Sequence, residues 1–124
     1  MRHQVFGRKL SRDTQARAAL ARNLASVLFE QGKITTTLAR AKFAKPYAEN
    51  LITIYKKKKL AQVRQLHSLL SNKAFEKLTR QIGPGFDQRN GGYTRIVKLG
   101  QRAGDAAPMA RLQLLEFAKK KEKT

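Results

Sequence analysis

The sequence predicts an α+β domain: three to four helices packed on a small mixed or antiparallel sheet, preceded by an extended basic N-terminal arm. Three observations carry that expectation. Apolar residues recur at helical spacing from about Ala16 to Ile82. Past Gly91-Gly92 the pattern changes to short β-branched and aromatic runs, Tyr93 to Leu99 and Met109 to Phe117, which suit a hairpin. Residues 1–12 hold Arg2, Arg8, Lys9, Arg12 and His3 but no acid and no sustained apolar period. A stretch of that kind stays open alone and orders on a partner. A chain of 124 residues makes one domain, so the expected organisation is an arm at 1–12, a globular body at 13–117 and a basic tail at 118–124.

Asp13 or Thr14 is placed to cap a first helix running to about Gln31. Ala16, Leu20, Leu24, Val27 and Leu28 fall on one face, with Arg17 and Arg22 largely off it, and Gly32 suits the stop. Lys33 to Thr36 is short and β-branched, a brief strand. Thr36 or Thr37 then caps a second helix with the stripe Ala44, Tyr47, Ala48, Leu51, Ile52 and Tyr55. Pro46 removes a backbone donor inside it, which predicts a kink or break near Lys42–Lys45. The run Lys56-Lys57-Lys58-Lys59 closes that helix, where cations complement its dipole. Leu60, Val63, Leu66 and Leu70 mark a short third helix. Ser71 or Asn72 caps a fourth, with Phe75, Leu78 and Ile82 inward, and Gly83-Pro84-Gly85 is expected to end it.

Charge narrows the function. There are 27 Lys and Arg against 8 Asp and Glu, a net charge of +19. Such self-repulsion opposes compaction unless a polyanion offsets it, which favours a nucleic-acid partner. Cysteine is absent, so no disulfide, thiolate nucleophile or Cys-ligated metal is available. No apolar run approaches the roughly 20 residues of a membrane span. His3 and His67 are far apart, and the carboxylates show neither paired-acid nor metal-ligand spacing. The glycines lack the strand–loop–helix context of a phosphate-binding fingerprint. No enzyme, no cofactor, no metal and no small-molecule substrate is expected.

The stretch GGYTRIVKLGQRAGDAAPMA, residues 91–110, carries the most information. Its glycines permit turns that a Cβ resists, and its loop bears Arg102. Tyr93 has two readings, a base-stacking ring or a core tyrosine at a strand start. Asp105 reads as a turn former or an intramolecular partner of a neighbouring Arg. With MRH at 1–3, GRKL at 7–10, RNLA at 22–25, ITTT at 34–37, ARAK at 39–42 and LIT at 51–53, this stretch resembles the bacterial large-subunit ribosomal protein seventeen family over nearly the whole chain.

The resemblance implies a cytoplasmic structural constituent of the ribosome. Its partners would be large-subunit rRNA and neighbouring ribosomal proteins close to the nascent-chain exit tunnel. Carried over residue by residue, it implies rRNA contacts at Arg2, His3, Arg8, Lys9 and Arg12 in the arm. Arg22, Asn23, Thr36, Arg40 and Lys42 follow around the first two helices, and Tyr93, Arg95, Lys98 and Arg102 in the hairpin. Arg89 joins them for its loop position and charge. Gln4-Val5, Ala16-Arg17 and Gly85 depart from the family pattern, each putting one local contact in question. Two other classes fit the composition less well. A nucleoid-type DNA-binding protein needs a groove-reading helix or a dimer interface. A membrane-surface protein needs bulky Trp- or Phe-bearing faces, whereas these stripes are rich in Ala and Trp is absent.

Overall fold

The computed structural model describes residues 14–57 and 59–115. The arm with Arg2, His3, Arg8, Lys9 and Arg12, the alternative cap Asp13, Lys58 and the tail lie outside the described residues.

Helix α1 spans Thr14–Gln31. Gly32 follows it at φ +85°, and its N–H still donates to the Leu28 carbonyl at 2.7 Å. That left-handed step suits glycine and turns the chain into strand β1, Lys33–Thr37. Thr37 then caps helix α2, Leu38–Lys57, its Oγ1 accepting from the Arg40 N–H at 3.3 Å. Helix α3 covers Leu60–Leu69 and α4 covers Asn72–Lys77. Ser71 caps α4 and accepts from the Ala74 N–H at 3.1 Å. Strands β2, Thr94–Gln101, and β3, Pro108–Leu114, form the hairpin. The sheet is antiparallel with order β1-β3-β2, so the last strand inserts beside the first.

One local expectation is corrected and two are refined. The buried face of α1 is Ala21, Ala25, Leu28 and Phe29, rotated by about one residue from the stripe read in sequence. Val27 points outward at 39% exposure, while Phe29, which that stripe left out, is buried in the core. Of the kink or break expected near Lys42–Lys45, no break occurs: helix α2 runs unbroken through Pro46, which occupies an exposed position on it. The fourth helical run does end at Gly83-Pro84-Gly85, as expected, but its later part is not regular α-helix. Helix α4 continues as a π-helical turn, Leu78–Ile82, and a last turn, Gly83–Gly85. Gly83 stays inside because a Cβ there would lie 2.4 Å from the Tyr55 ring. Helix α2 and this last turn therefore meet at a position only glycine fits.

The helices cover one side of the sheet. Ala25, Ala41, Ala44, Ala48, Ala74 and Ala110 have no exposed surface. Small side chains let α1, α2 and β3 approach closely, and Leu28, Phe29, Leu51, Ile52, Leu66, Leu78 and Leu112 fill the space between. The Ala-rich composition thus makes a thin, tight core.

Candidate nucleic-acid interface

Strand alternation gives the sheet two unlike faces. Ile34, Ile96 and Leu112 share one cross-strand row and point at the helices. The next rows point away. Lys33, Gln113 and Arg95 form one, and Thr35, Arg111 and Val97 form another. The face they make contains no acid. Lys33 and Arg95 are exposed and Arg111 is half-buried. None of the three makes an ion pair with a described carboxylate.

The described acids are mostly committed elsewhere. Glu30 accepts from the Ser71 hydroxyl at 2.6 Å, tying α1 to the α4 cap. Glu76 pairs with Arg80 within the same helical run at 3.3 Å. Glu49 forms the central latch. Its Oε2 accepts from Lys45 Nζ at 3.0 Å, from the Thr94 N–H at 2.9 Å and from the Thr94 hydroxyl at 2.8 Å. Lys45 Nζ also donates to the Thr94 carbonyl at 2.9 Å and to its Oγ1 at 3.1 Å. Burial pushes the Glu49 carboxyl up, but the hydrogen bonds from Lys45 and Thr94 prevail and hold it below its ordinary value. This latch joins α2 to the first residue of β2, so Arg95 leaves a fixed point.

The residues expected from sequence separate into groups. Thr36, Ala110 and Lys98 share a cross-strand row at the end of the sheet where α2 begins. Arg40 is half-buried and Lys42 exposed in the first turns of that helix. Arg22 and Asn23 sit on α1, half-buried and exposed respectively. Burial raises the Tyr47 hydroxyl above its usual value, and the nearby Arg22 charge opposes that shift. Arg89 is at the opposite end of α2, in an exposed loop, with its guanidinium 3.4 Å from the Gly92 carbonyl.

Two sequence candidates are engaged by the protein's own groups, one buried and one at the surface. Tyr93 is only 2% exposed and its ring packs 5.0 Å from Phe86, so no base stacks on it as the structure stands. Its hydroxyl accepts from Lys56 Nζ at 3.1 Å, and the same ammonium donates to the Arg89 carbonyl. The Lys56 end of the lysine run thus organises the Arg89 loop. At the hairpin tip, Asp105 grips Arg102 through two bonds of 3.1 and 2.8 Å and accepts from the Ala107 N–H at 3.1 Å. The Arg102 bonds, then that N–H, depress the Asp105 carboxyl to about 2. A phosphate reaching Arg102 therefore shares the guanidinium with Asp105.

Sequence reasoning missed Lys33 and Arg111. The available signal was the strict alternation Ala110-Arg111-Leu112, which puts a lone cation opposite two apolar neighbours. Among the described residues no cluster of His, Cys, Asp or Glu has metal-holding geometry. No described helix is long and apolar enough to cross a membrane.

The domain is thin-cored and α+β, with an acid-free basic sheet face and most of its described carboxylates turned to internal tasks, features of a structural protein and not of a catalyst. Comparison with known proteins gives the particular family. Residues 20–115 match Ribosomal protein L17. The chain is 48% identical over 117 residues to large ribosomal subunit protein bL17 of Zymomonas mobilis, covering 94% of this chain and 84% of that one. It is 47% identical to the bL17 of Gemmatimonas aurantiaca over 122 residues, 93% of this chain and 98% of that one. The Solibacter usitatus bL17 is 47% identical over 116 residues, covering 93% and 77%. The chain belongs to the ribosomal protein L17 family. It is a structural, non-enzymatic protein of the bacterial large ribosomal subunit.

Proposed function

We propose that this chain binds and stabilises large-subunit rRNA, with its body supplying a basic surface and its N-terminal residues reaching between RNA segments. The supporting observation is the division of charge. Glu30, Glu49, Glu76 and Asp105 each hold an internal partner, so Lys33, Arg95 and Arg111 remain for an external polyanion. Of the sequence candidates, Arg22, Asn23, Thr36, Arg40, Lys42, Arg89, Arg95 and Lys98 remain at least partly accessible. Arg2, His3, Arg8, Lys9 and Arg12 are proposed as contacts through the family resemblance, as are neighbouring ribosomal proteins and a place near the nascent-chain exit tunnel.

The test is sedimentation of a lysate through sucrose at moderate and high salt, following this chain. Migration with the large subunit and its precursors, retained through the salt wash, is the expected result. A chain enclosed by folded RNA resists salt, whereas one adsorbed by charge alone is released. Migration with DNA or membranes at both salt concentrations would overturn the reading.

A further inference from the structure

We propose that the outer face of the sheet is a distinct RNA site that grips the sugar-phosphate backbone of a double-helical rRNA segment through Lys33, Arg95 and Arg111. This rests on the rRNA-binding reading above and deepens it. Neither Lys33 nor Arg111 was among the contacts expected from the family blocks.

Geometry comes first. Lys33 and Arg95 face each other across Gln113, on the two edge strands, and Arg111 stands on the central strand one row further along. Neighbouring strands lie about 4.8 Å apart and a two-residue step covers about 6.8 Å, so the cations form a triangle with sides on the order of 10 Å. That size suits separate phosphates better than one shared anion. The sheet is hydrogen-bonded, held to α2 by the latch at Thr94, and so presents the triangle without first ordering a loop.

Chemistry then selects the form of RNA. Sheets that read unpaired bases do so by stacking them on exposed aromatic rings. The two outer rows contain no aromatic residue, and the nearest tyrosine, Tyr93, is buried. What lies between the cations is Thr35, Gln113 and Val97. Hydroxyl and amide groups suit the 2′-hydroxyls that line the wide, shallow minor groove of an RNA duplex. A hydrogen-bonded face with one cation on each edge strand, one on the central strand and short polar groups among them fits that groove. It offers no aromatic ring on which to hold a splayed base.

The experiment uses the full chain and two probes: an RNA duplex of about 16 base pairs and an oligouridine of equal length. The variant K33Q/R95Q/R111Q is compared with K57Q/R64Q/K73Q, which removes the same charge from exposed helix positions. For the sheet variant, duplex affinity is expected to fall about tenfold or more, with the salt slope shallower by about 2 to 3. Oligouridine affinity should change much less. The helix variant should alter neither slope by more than about 1.

Equal losses from both variants would reduce the effect to long-range charge and overturn the site. So would an unchanged duplex affinity, the result expected if another part of the chain covers this face. A larger loss on oligouridine would overturn the duplex assignment. Circular dichroism checks folding. If the triple variant is unfolded, K33Q and R95Q, both at exposed positions, are measured singly, and a slope change near zero in each overturns the proposal. Failure of the wild type to bind either RNA, or to sediment with the large subunit, would instead sink the broader rRNA reading.

Discussion

Arg111 and Leu112 are neighbours in sequence and opposites in surroundings. Leu112 has no exposed surface and is packed among the helix residues, while Arg111 faces outward between Thr35 and Val97. The same contrast separates Lys45 from Arg95. Lys45 meets a carboxylate, a carbonyl and a hydroxyl inside the protein, and Arg95, one residue beyond its partner Thr94, pairs with no described carboxylate. The two faces of one sheet teach that total charge does not define the binding surface. What matters is which cations the protein itself has left unneutralised and where the fold brings them together.

The largest effects should separate the faces cleanly. Leu112→Ala should cost about 2 to 5 kcal/mol in chemical unfolding, since it removes buried methyl groups from a core with no slack. Its RNA affinity, measured where the variant is still folded, should be near wild type. Arg111→Gln should do the reverse, shifting stability by no more than about 0.5 kcal/mol while weakening RNA binding. If Arg111→Gln destabilised the fold as strongly as Leu112→Ala, the division into a packing face and a binding face would be lost.

Much of this was legible because it is local. Helix α1 runs to Gln31, as its periodicity and Gly32 indicate, and Ser71 caps α4 as its position before the apolar pattern suggests. The hairpin is legible from its glycines and β-branched residues, and Asp105 is bound to a neighbouring Arg, one of its two sequence readings. The site was harder to see because its assembly is long-range. Lys33 and Arg95 become neighbours only through β3, whose register against both strands no local pattern records. In the sequence Lys45 is one more cation close to Arg40 and Lys42. Its true environment depends on Thr94, 49 residues away. Tyr93 and Gly83 follow the same rule: each is defined by what α2 places against it, Lys56 in one case and Tyr55 in the other.

The next prediction addresses the latch between the faces. Glu49→Gln should lower stability by about 1 to 2 kcal/mol near neutral pH, since it replaces charge-assisted bonds with neutral ones. The pH dependence has a defined sign. Glu49 in the folded protein titrates below its ordinary value of 4.5, so the native state binds fewer protons than the unfolded chain in that region. Its stabilisation is present above that value and is lost as pH falls through the lower, folded one. The variant should therefore converge with wild type in acid, the gap opening as pH rises towards 4.5 and reaching its full, constant size above about pH 5. A gap that stays constant from about pH 7 down into acid, below 4.5, would mean that the Gln change acts through packing and not through the carboxylate charge.

The smallest expected change concerns the hairpin tip, where the protein neutralises a cation at the surface and not in the interior. Arg102 and Asp105 are both exposed, and their pairing holds the Asp105 carboxyl down near 2, so it stays charged through all ordinary conditions. Stability should change little on Asp105→Asn, because an exposed pair contributes little. An Asn oxygen still accepts from the Ala107 N–H, which preserves the turn, while the negative charge beside Arg102 is removed. If the tip lies against RNA, Arg102 is released to a phosphate and the salt dependence of binding steepens by up to about 1 in slope. With the tip away from RNA, the slope stays as in wild type and Arg102 leaves the set of contacts. Asp105→Asn thus measures whether the boundary of the binding surface stops at the sheet or extends along the hairpin, using a substitution that strengthens the expected contact instead of removing it.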